Sequence, residues 1–299
     1  GVNAMSDNQV AASMQADDSY AGSETCNRLI KALKTVFGTE YFLPAHQGRA
    51  CENILAETFV KPGDVVPMNF HFTTTKAHIT RLGGRVEELV TADGLDPHKE
   101  LPFKGNFDIP RLKKLIEEVG PEHVPFVRIE AGTNLIGGQP LSMENMLEVA
   151  KVCRENGIMS VLDASLLQDN LYFIKTREEA AKGMTIAEIT RKIADAMDLI
   201  YFSSRKLGFS RGGGIVSNNN DLILKMKEFI PLYEGFLTYG GMEVRSMEAM
   251  AVGLLETMDE EIINQGPLFI EYLVKELDSY GVPMVKPAGG LGAHINATE

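Results

Sequence analysis

Short apolar runs alternate with stretches of helical period along most of the chain. Runs of strand length occur at 40–44, 64–69, 85–90, 125–130, 158–163 and 199–203. Between them, stretches such as 109–119 place apolar residues (Leu112, Leu115, Ile116) at the spacing of one helix face. Strands that alternate with helices are typical of a parallel sheet covered on both faces. The pattern therefore predicts an α/β fold with a mostly parallel central sheet and helices on both faces.

The pattern changes toward the end of the chain, where helices replace the alternation. The predicted helices lie at 27–37, 50–59, 75–82, 109–119, 142–155 with Ser142 as N-cap, 185–197, 243–256 and 260–280. The segment between 163 and 185 is predicted to be an insertion, and 212–216 to cross back as a strand. A short strand is expected at 282–285, where a smaller domain begins. The predicted organisation is an N-terminal arm with subunit contacts at 1–25, a large domain at 26–280, and the start of a small domain at 281–299.

Composition narrows the class of protein. A chain of 299 residues with 44% hydrophobic content can bury a large core. No apolar stretch approaches the roughly 20 residues of a membrane span, and residues 1–18 lack the pattern of a signal peptide, so no membrane partner and a cytoplasmic location are expected. The net charge of −12 disfavours nucleic acid as a partner. The three cysteines and six histidines show no metal-ligand spacing. We therefore expect buried thiols and no metal site built from these residues.

Two predicted strand ends carry the side chains that a pyridoxal phosphate (PLP) enzyme needs. Asp163 ends one strand, and a Ser-Ser-Arg-Lys sequence at 203–206 ends another. In PLP enzymes a lysine holds the aldehyde as a Schiff base and a carboxylate keeps the pyridinium nitrogen protonated, while a serine can bind the phosphate. Ligands of open parallel sheets collect beyond the carboxyl ends of the strands. The sequence therefore predicts a PLP site with Lys206 and Asp163 in these two roles.

Three other strand ends add polar or aromatic groups to the same predicted edge. Gln47, Gly48 and Arg49 open a helix, where backbone N–H groups and a guanidinium can hold an anion. Phe72 can stack on a flat cofactor, and Asn134 can donate to a phenolic oxygen such as PLP O3′. Each feature alone also has an ordinary structural explanation, because helix starts and turns favour the same residue types.

A set of motifs extends along the whole chain. They are NAMSDNQ (3–9), YAGSE (20–24), PAHQGR (44–49), FTTT (72–75), KGNFD (104–108), GGQP (137–140), NLYFIK (170–175) and YGG (239–241). Together they resemble the aromatic amino acid β-eliminating lyases, the family of tyrosine phenol-lyase and tryptophanase. The resemblance implies PLP-dependent fold type I, the aspartate aminotransferase fold. It also implies a homotetramer activated by a monovalent cation such as K⁺.

The resemblance also implies roles for individual positions. Lys206 matches the Schiff-base lysine and Asp163 the pyridinium partner. The remaining cofactor positions are Gln47, Gly48, Arg49 and Ser203 for the phosphate, Phe72 for ring stacking and Asn134 for PLP O3′. Tyr20 matches a tyrosine that assists proton transfer to the leaving group and reaches a neighbouring subunit's site. Thr73 matches a threonine that contacts the phenol hydroxyl, where tryptophanases typically carry aspartate.

The monovalent cation has its own implied positions, Gly1 and Asp18, where Asp18 stands in for a glutamate. Two further positions depart from the family pattern: Leu166 occupies the place of an arginine that contacts PLP O3′, and Arg205 replaces a lysine. Family members also continue past Glu299 into a part that holds the arginine for the substrate carboxylate. The chain is therefore expected to be a fragment, a shortened form or one half of a split enzyme.

The expected activity is β-elimination of an aromatic L-amino acid, with tyrosine converted to phenol, pyruvate and ammonia. Thr73 favours tyrosine, and tryptophanase activity on tryptophan is the alternative. Two other hypotheses stay open: a retro-aldol cleavage of the threonine aldolase type, and an inactive or split-enzyme PLP-binding subunit. In the last case a second chain would supply the missing small domain.

Overall fold

The computed structural model describes residues 4–297, which are built around a seven-stranded sheet. The strands are β1 (Tyr41–Ala45), β2 (Val65–Met68), β3 (Arg85–Glu88), β4 (Phe126–Glu130), β5 (Met159–Asp163), β6 (Leu199–Ser203) and β7 (Gly213–Ser217), in the order β1-β7-β6-β5-β4-β2-β3. Strands β2 to β6 pair in parallel, and β7 runs antiparallel to β1 and β6. The predicted α/β class with a mostly parallel sheet is confirmed.

Helices cover both faces of this sheet. They are α1 (Asp7–Ser13), α2 (Glu24–Phe37), α3 (Gly48–Phe59), α4 (Thr73–Arg81), α5 (Ala92–Leu95), α6 (Ile109–Val119), α7 (Met143–Glu155), α8 (Leu167–Arg177), α9 (Ile186–Ala194), α10 (Asn220–Lys227), α11 (Val244–Glu256) and α12 (Glu260–Ser279). Short 3₁₀ segments lie at Pro121–His123, Asn134–Ile136 and Glu179–Ala181, and a π-helical turn at Ile230–Glu234. No helix within 4–297 is both long enough and apolar enough to cross a lipid bilayer.

The two faces of the sheet bury separate hydrophobic clusters. Side chains alternate along β6, so Ile200 and Phe202 pack with the larger cluster, which includes α2, α7 and α11. Leu199 and Tyr201 point to the other face, where α3 and α10 complete the smaller cluster. Burial on both faces explains why a strand such as β2 is apolar along its whole length rather than alternating with polar residues.

Local signals fix the ends of several helices. In α7, the Ser142 side chain accepts a hydrogen bond from Asn145 N at 3.1 Å, which confirms the predicted N-cap. In α2, Ser23 caps the start, and Gly38 ends the helix with φ of 72°, a left-handed conformation that glycine adopts without steric cost. Such caps are visible in the sequence itself, because they depend only on residues that are close together along the chain.

Helices α1 and α5 lie where no helix was predicted, and the structure differs from the sequence-based prediction in two further segments. The predicted insertion between 163 and 185 contains α8, which is buried along 167–174 and therefore lacks the polar face that reveals an amphipathic helix. The strand predicted at 282–285 is only a single bridge between Met284 and Ile295, because no neighbouring strand pairs along its length. The division into an arm, a large domain and a small domain stays a prediction.

The C-terminal segment packs beside the carboxyl edge of the sheet. The buried Lys104 Nζ donates hydrogen bonds to the backbone oxygens of Asp96 and Lys286, at 2.5 and 2.7 Å. Gly290 N donates to Gly138 O at 3.1 Å. These bonds place Leu291 at the rim of the cavity described below.

Candidate active site

A cavity of about 340 Å³ opens at the carboxyl ends of the central strands. Its lining residues are Gln47, Gly48, Arg49, Glu52, Phe72, Glu130, Asn134, Asp163, Ser165, Leu166, Ser203, Arg205, Lys206 and Leu291. Every residue predicted to bind PLP is in this set. The structure therefore brings together groups from the connections that follow five strands, β1, β2, β4, β5 and β6, at the edge where ligands of parallel sheets bind.

One end of the cavity is built as an anion cradle. Helix α3 begins at Gly48, and its N-cap Gln47 makes no side-chain capping bond. A Cβ atom added to Gly48 would lie 2.7 Å from Ser203 Cβ, so the helix start packs directly against the end of β6. Backbone N–H groups at the helix N-terminus, the Arg49 guanidinium and the Ser203 hydroxyl form a donor set suited to a phosphate group.

We expect Gly48→Ala to weaken PLP binding about 5- to 150-fold. The added methyl group overlaps Ser203, and overpacking of this kind costs about 1–3 kcal/mol. The measurement is the dissociation constant of PLP by absorbance titration. Gly266→Ala is the matched control, because its Cβ would meet only Asp169 Oδ1 at 3.8 Å; equal affinities of both variants and the parent would contradict the prediction.

Lys206 and Phe72 line the same cavity from the connections that follow β6 and β2. Lys206 follows β6 in a turn in which its backbone N donates to Ser203 O at 3.2 Å. The Lys206 Nζ atom lies 5.8 Å from the centre of the Phe72 ring. An amine near an aromatic face at a strand end is the arrangement that a lysine-bound aromatic cofactor needs.

Asp163 is held in a buried hydrogen-bonding network. Residues Glu130, Asp163 and Tyr201 are paired in register across β4, β5 and β6. The Asp163 Oδ2 atom accepts from Arg128 Nη2 at 2.5 Å and from the Tyr201 hydroxyl at 3.0 Å, while Oδ1 accepts from Ser165 N at 2.9 Å. Three donors therefore fix the carboxylate at the floor of the cavity.

Arg128 is the cation of this network, and it is completely buried. Its Nη1 atom donates to Glu130 Oε2 at 3.0 Å and its Nε atom to the Tyr201 hydroxyl at 2.7 Å. Burial opposes ionisation of Asp163, but Arg128 and the Ser165 hydrogen bonds outweigh it and lower the pKa of Asp163. Burial raises the pKa of Glu130 to about 7 despite Arg128. Asp163 thus already has an internal cationic partner, which the sequence had not revealed.

Sequence reasoning did not assign a role to Arg128, Glu130, Tyr201 or Glu52. The available signal was the pattern of β4, in which Arg128 and Glu130 alternate with apolar residues in a strand buried throughout. Residues two apart on a strand share a face, and buried charges need partners. The Glu52 side chain lines the cavity from α3 and accepts hydrogen bonds from Thr74 and Thr75.

The other predicted positions lie away from the cavity lining within 4–297. Tyr20 is 73% exposed and stacks on Phe236, with ring centres 5.2 Å apart. Thr73 is the exposed first residue of α4, next to Phe72. Asp18 is exposed, whereas its neighbour Asp17 accepts from the backbone N of 24 and 25. Gly1 lies outside the described residues.

No cluster of three or more His, Cys, Asp or Glu side chains that could hold a metal ion is present in the described part of the chain. Leu166 and Arg205, two of the three positions that depart from the resemblance, line the main cavity. The monovalent cation site at Gly1 and Asp18 stays a prediction.

A second cavity of about 320 Å³ adjoins the first and shares Leu166, Arg205, Lys206 and Leu291 with it. Asp169 lines this cavity and is 7% exposed, and burial raises its pKa to about 7. The neighbouring Gln168 Oε1 atom is buried without a hydrogen-bond partner. The carboxyl group is therefore held in surroundings that favour its neutral form.

We expect Asp169→Asn to make the chain more stable than the parent at pH 8 but not at pH 5. Between pH 5 and 7 the folded parent binds more protons than the unfolded chain, so its unfolding free energy falls as pH rises, by about 3 kcal/mol. The asparagine variant lacks this dependence. Urea unfolding at several pH values measures it, with the exposed Asp221→Asn as control. Parallel pH curves for the parent and Asp169→Asn would show that burial does not shift this carboxyl.

The architecture is shared with solved structures of low sequence identity. The chain is similar to Bna3p from Saccharomyces cerevisiae, with a TM-score of 0.70 and 17% identity over 96% of this chain and 68% of that one. It is also similar to the serine palmitoyltransferase of Sphingomonas wittichii, with a TM-score of 0.67 and 14% identity over 96% of this chain and 67% of that one. The fold is the PLP-dependent transferase-like fold, fold type I, as the resemblance implied.

Sequence comparison gives the family. The model of the Beta-eliminating lyase family matches residues 1–298, and the chain belongs to this family. It is 41% identical over 298 residues to the tyrosine phenol-lyase of Fusobacterium nucleatum, covering 99% of this chain and 65% of the relative. It is 40% identical over 300 residues to that of Pasteurella multocida, covering 100% of this chain and 66% of the relative. The chain thus spans just under two thirds of the length of these relatives.

Proposed function

We propose that the chain binds PLP and forms part of a lyase that converts L-tyrosine to phenol, pyruvate and ammonia. The observation that carries the proposal is the cavity that joins Lys206, Asp163 and the anion cradle at Gly48. Relatives named tyrosine phenol-lyase, at about 40% identity, support the choice of reaction. Because the chain spans about 65% of their length, the proposal concerns the residues that this chain contributes.

Each group of the cavity has a separate role in the proposed reaction. PLP, when bound, draws electrons away from Cα of an attached amino acid, which makes the Cα proton acidic and lets a group on Cβ leave. Lys206 Nζ would hold the aldehyde of PLP and would serve as the base that accepts the Cα proton of the substrate. Asp163 would accept a hydrogen bond from the ring nitrogen. Phe72 would pack on the ring, and Asn134 would donate to O3′.

The phosphate would be bound by Gln47, Gly48, Arg49 and Ser203. These residues bind and orient the cofactor without taking part in proton transfer. Backbone donors at the start of α3 need no reorganisation to receive an anion, so they position the reactive carbon with respect to Lys206 Nζ.

Two residues are proposed to act on the leaving group. Tyr20 would deliver a proton to the aromatic carbon, and Thr73 would contact the phenol hydroxyl. The exposed position of Tyr20, on the aromatic pair Phe236 and Tyr239, is compatible with a role in a neighbouring subunit's site. A homotetramer, a K⁺ ion at Gly1 and Asp18, and a second chain that completes the small domain belong to the same proposal.

The test is product analysis of the purified chain with PLP. We would incubate it with L-tyrosine, L-tryptophan and L-threonine and measure pyruvate, phenol, indole and glycine. Pyruvate and phenol from tyrosine would support the proposal. Indole from tryptophan would point to tryptophanase, and glycine from threonine to retro-aldol cleavage. Bound PLP without any product would favour a cofactor-binding subunit that needs a second chain.

A further inference from the structure

At the floor of the cavity, the number of carboxylates exceeds the number of guanidinium groups that pair with them. Arg128 is one guanidinium shared by two carboxylates, with Nη2 on Asp163 and Nη1 on Glu130. Glu130 lines the cavity, whereas Arg128 lies behind Asp163 and is absent from the lining. Two carboxylates and one guanidinium carry a net charge of about −1 when both acids are ionised.

The charge balance decides how this floor responds to a cation. Asp163 and Arg128 alone form a neutral buried pair, which offers little net attraction to another positive charge. A protonated pyridine ring against Asp163 would then leave a buried surplus of +1. With Glu130 ionised, the same ring makes the whole cluster neutral. The structure thus contains one carboxylate more than the Arg128–Asp163 pair requires.

We propose that Glu130 is a further carboxylate of the cofactor site, which keeps the ring nitrogen of bound PLP protonated by balancing the charge of Arg128. The proposal rests on the PLP binding proposed above. Glu130 is a positioning residue, because it acts through Arg128 and Asp163. A raised pKa in the cofactor-free cluster is consistent with this role, since the cation that would stabilise its ionised form is then lacking.

Contacts from several elements hold Glu130 in place. Its Oε1 atom accepts from Asn134 N at 3.2 Å, and its backbone N donates to Asn69 Oδ1 at 2.9 Å. The other charged groups near the cluster are Glu52 on α3, which interacts with Arg128 and Asp163, and Lys206, which interacts with Asp163. Glu52 differs from Glu130 because its oxygens accept from Thr74 and Thr75 rather than from Arg128.

The experiment measures the protonation of the ring nitrogen directly. The chain is loaded with ¹⁵N-labelled PLP, and the ¹⁵N NMR signal of the ring is recorded for the parent, Glu130→Gln and Glu52→Gln at about pH 7.5. We expect the parent signal at the position of a protonated ring and the Glu130→Gln signal at or near that of a neutral ring. Glu52→Gln, which removes a carboxylate without freeing Arg128, should resemble the parent.

A double variant separates charge balance from structural damage. Arg128→Met combined with Glu130→Gln removes one positive and one negative charge and leaves Asp163 as an unpaired carboxylate. We expect this variant to regain the protonated signal that Glu130→Gln loses. A protonated ring in Glu130→Gln, or a neutral ring in the double variant, would overturn the inference. Failure of the parent to bind PLP would instead refute the proposed function.

Discussion

Lys206→Ala is expected to abolish the near-visible absorption band that PLP gives when it is joined to a lysine. Lys206 is the lysine that lines the cavity, and its Nζ lies 5.8 Å from the Phe72 ring centre. Without the amine, only the contacts to the phosphate and ring retain PLP, so extensive dialysis should remove it. We also expect turnover to fall by at least about 10²–10⁴-fold, the contribution of a positioned general base.

Lys206→Arg is the matched control for this variant. Arginine keeps the positive charge beside Asp163 but cannot form the covalent bond to the aldehyde, so it should also lack the band. Its cofactor retention should exceed that of Lys206→Ala, because the charge remains for the phosphate and Asp163. A band of parental intensity in either variant would mean that another amine binds the aldehyde, and the assignment of Lys206 would be wrong.

The sequence predicted most of the framework because the framework depends on local rules. Strand β6 and helix α6 have the predicted bounds, and the other predicted elements from β1 to β7 differ by a few residues at their ends, whereas α1 and α5 were not predicted. Helix α8 was not predicted, because tertiary burial on all sides removes the periodicity on which the prediction relies. Pairing order could not be read from the chain either, and the antiparallel β7 between β1 and β6 is set by contacts distant in sequence.

The residues that were predicted to bind the cofactor, and that line the cavity, were predictable for a different reason. Gln47, Phe72, Asn134, Asp163 and Lys206 each follow an apolar run, so strand ends alone mark them as neighbours at one edge. Arg128 is two residues before the end of β4, and its partners come from β4, β5 and β6. Its role depends on the strand order and register, which the alternation of apolar runs does not specify.

The sequence of one chain does not show whether the two residues proposed to act on the substrate reach the cavity. Tyr20 and Thr73 were assigned by resemblance, and neither lines the cavity within the described residues. Tyr20 packs on Phe236 and Tyr239 and leaves most of its surface exposed. A side chain that acts across a subunit boundary leaves no pattern in its own sequence, because its partners belong to another copy.

Asp163→Asn is expected to destabilise the fold by about 3 kcal/mol, in addition to its effect on the cofactor. The substitution removes the charge that pairs with the buried Arg128, and breaking a buried pair costs about 3–5 kcal/mol. The lower end of this range applies because Glu130 still accepts from Arg128 Nη1 at 3.0 Å. The measurement is the free energy of unfolding in urea, without PLP, at about pH 7.

The double variant Arg128→Met with Asp163→Asn shows whether the loss comes from the guanidinium that lacks Asp163. Removing both charges should restore part of the stability, because Arg128 no longer lacks a partner, whereas Glu130 loses the donor Arg128 Nη1. The absorption band with PLP should survive in both variants, since Lys206 is unchanged, whereas elimination should be impaired in both because a neutral amide cannot hold the ring nitrogen protonated. Equal destabilisation of the single and double variants would mean that the Arg128–Asp163 pair does not stabilise the fold. A band lost together with elimination would mean that Asp163 is needed to bind the cofactor and not only to keep its ring protonated.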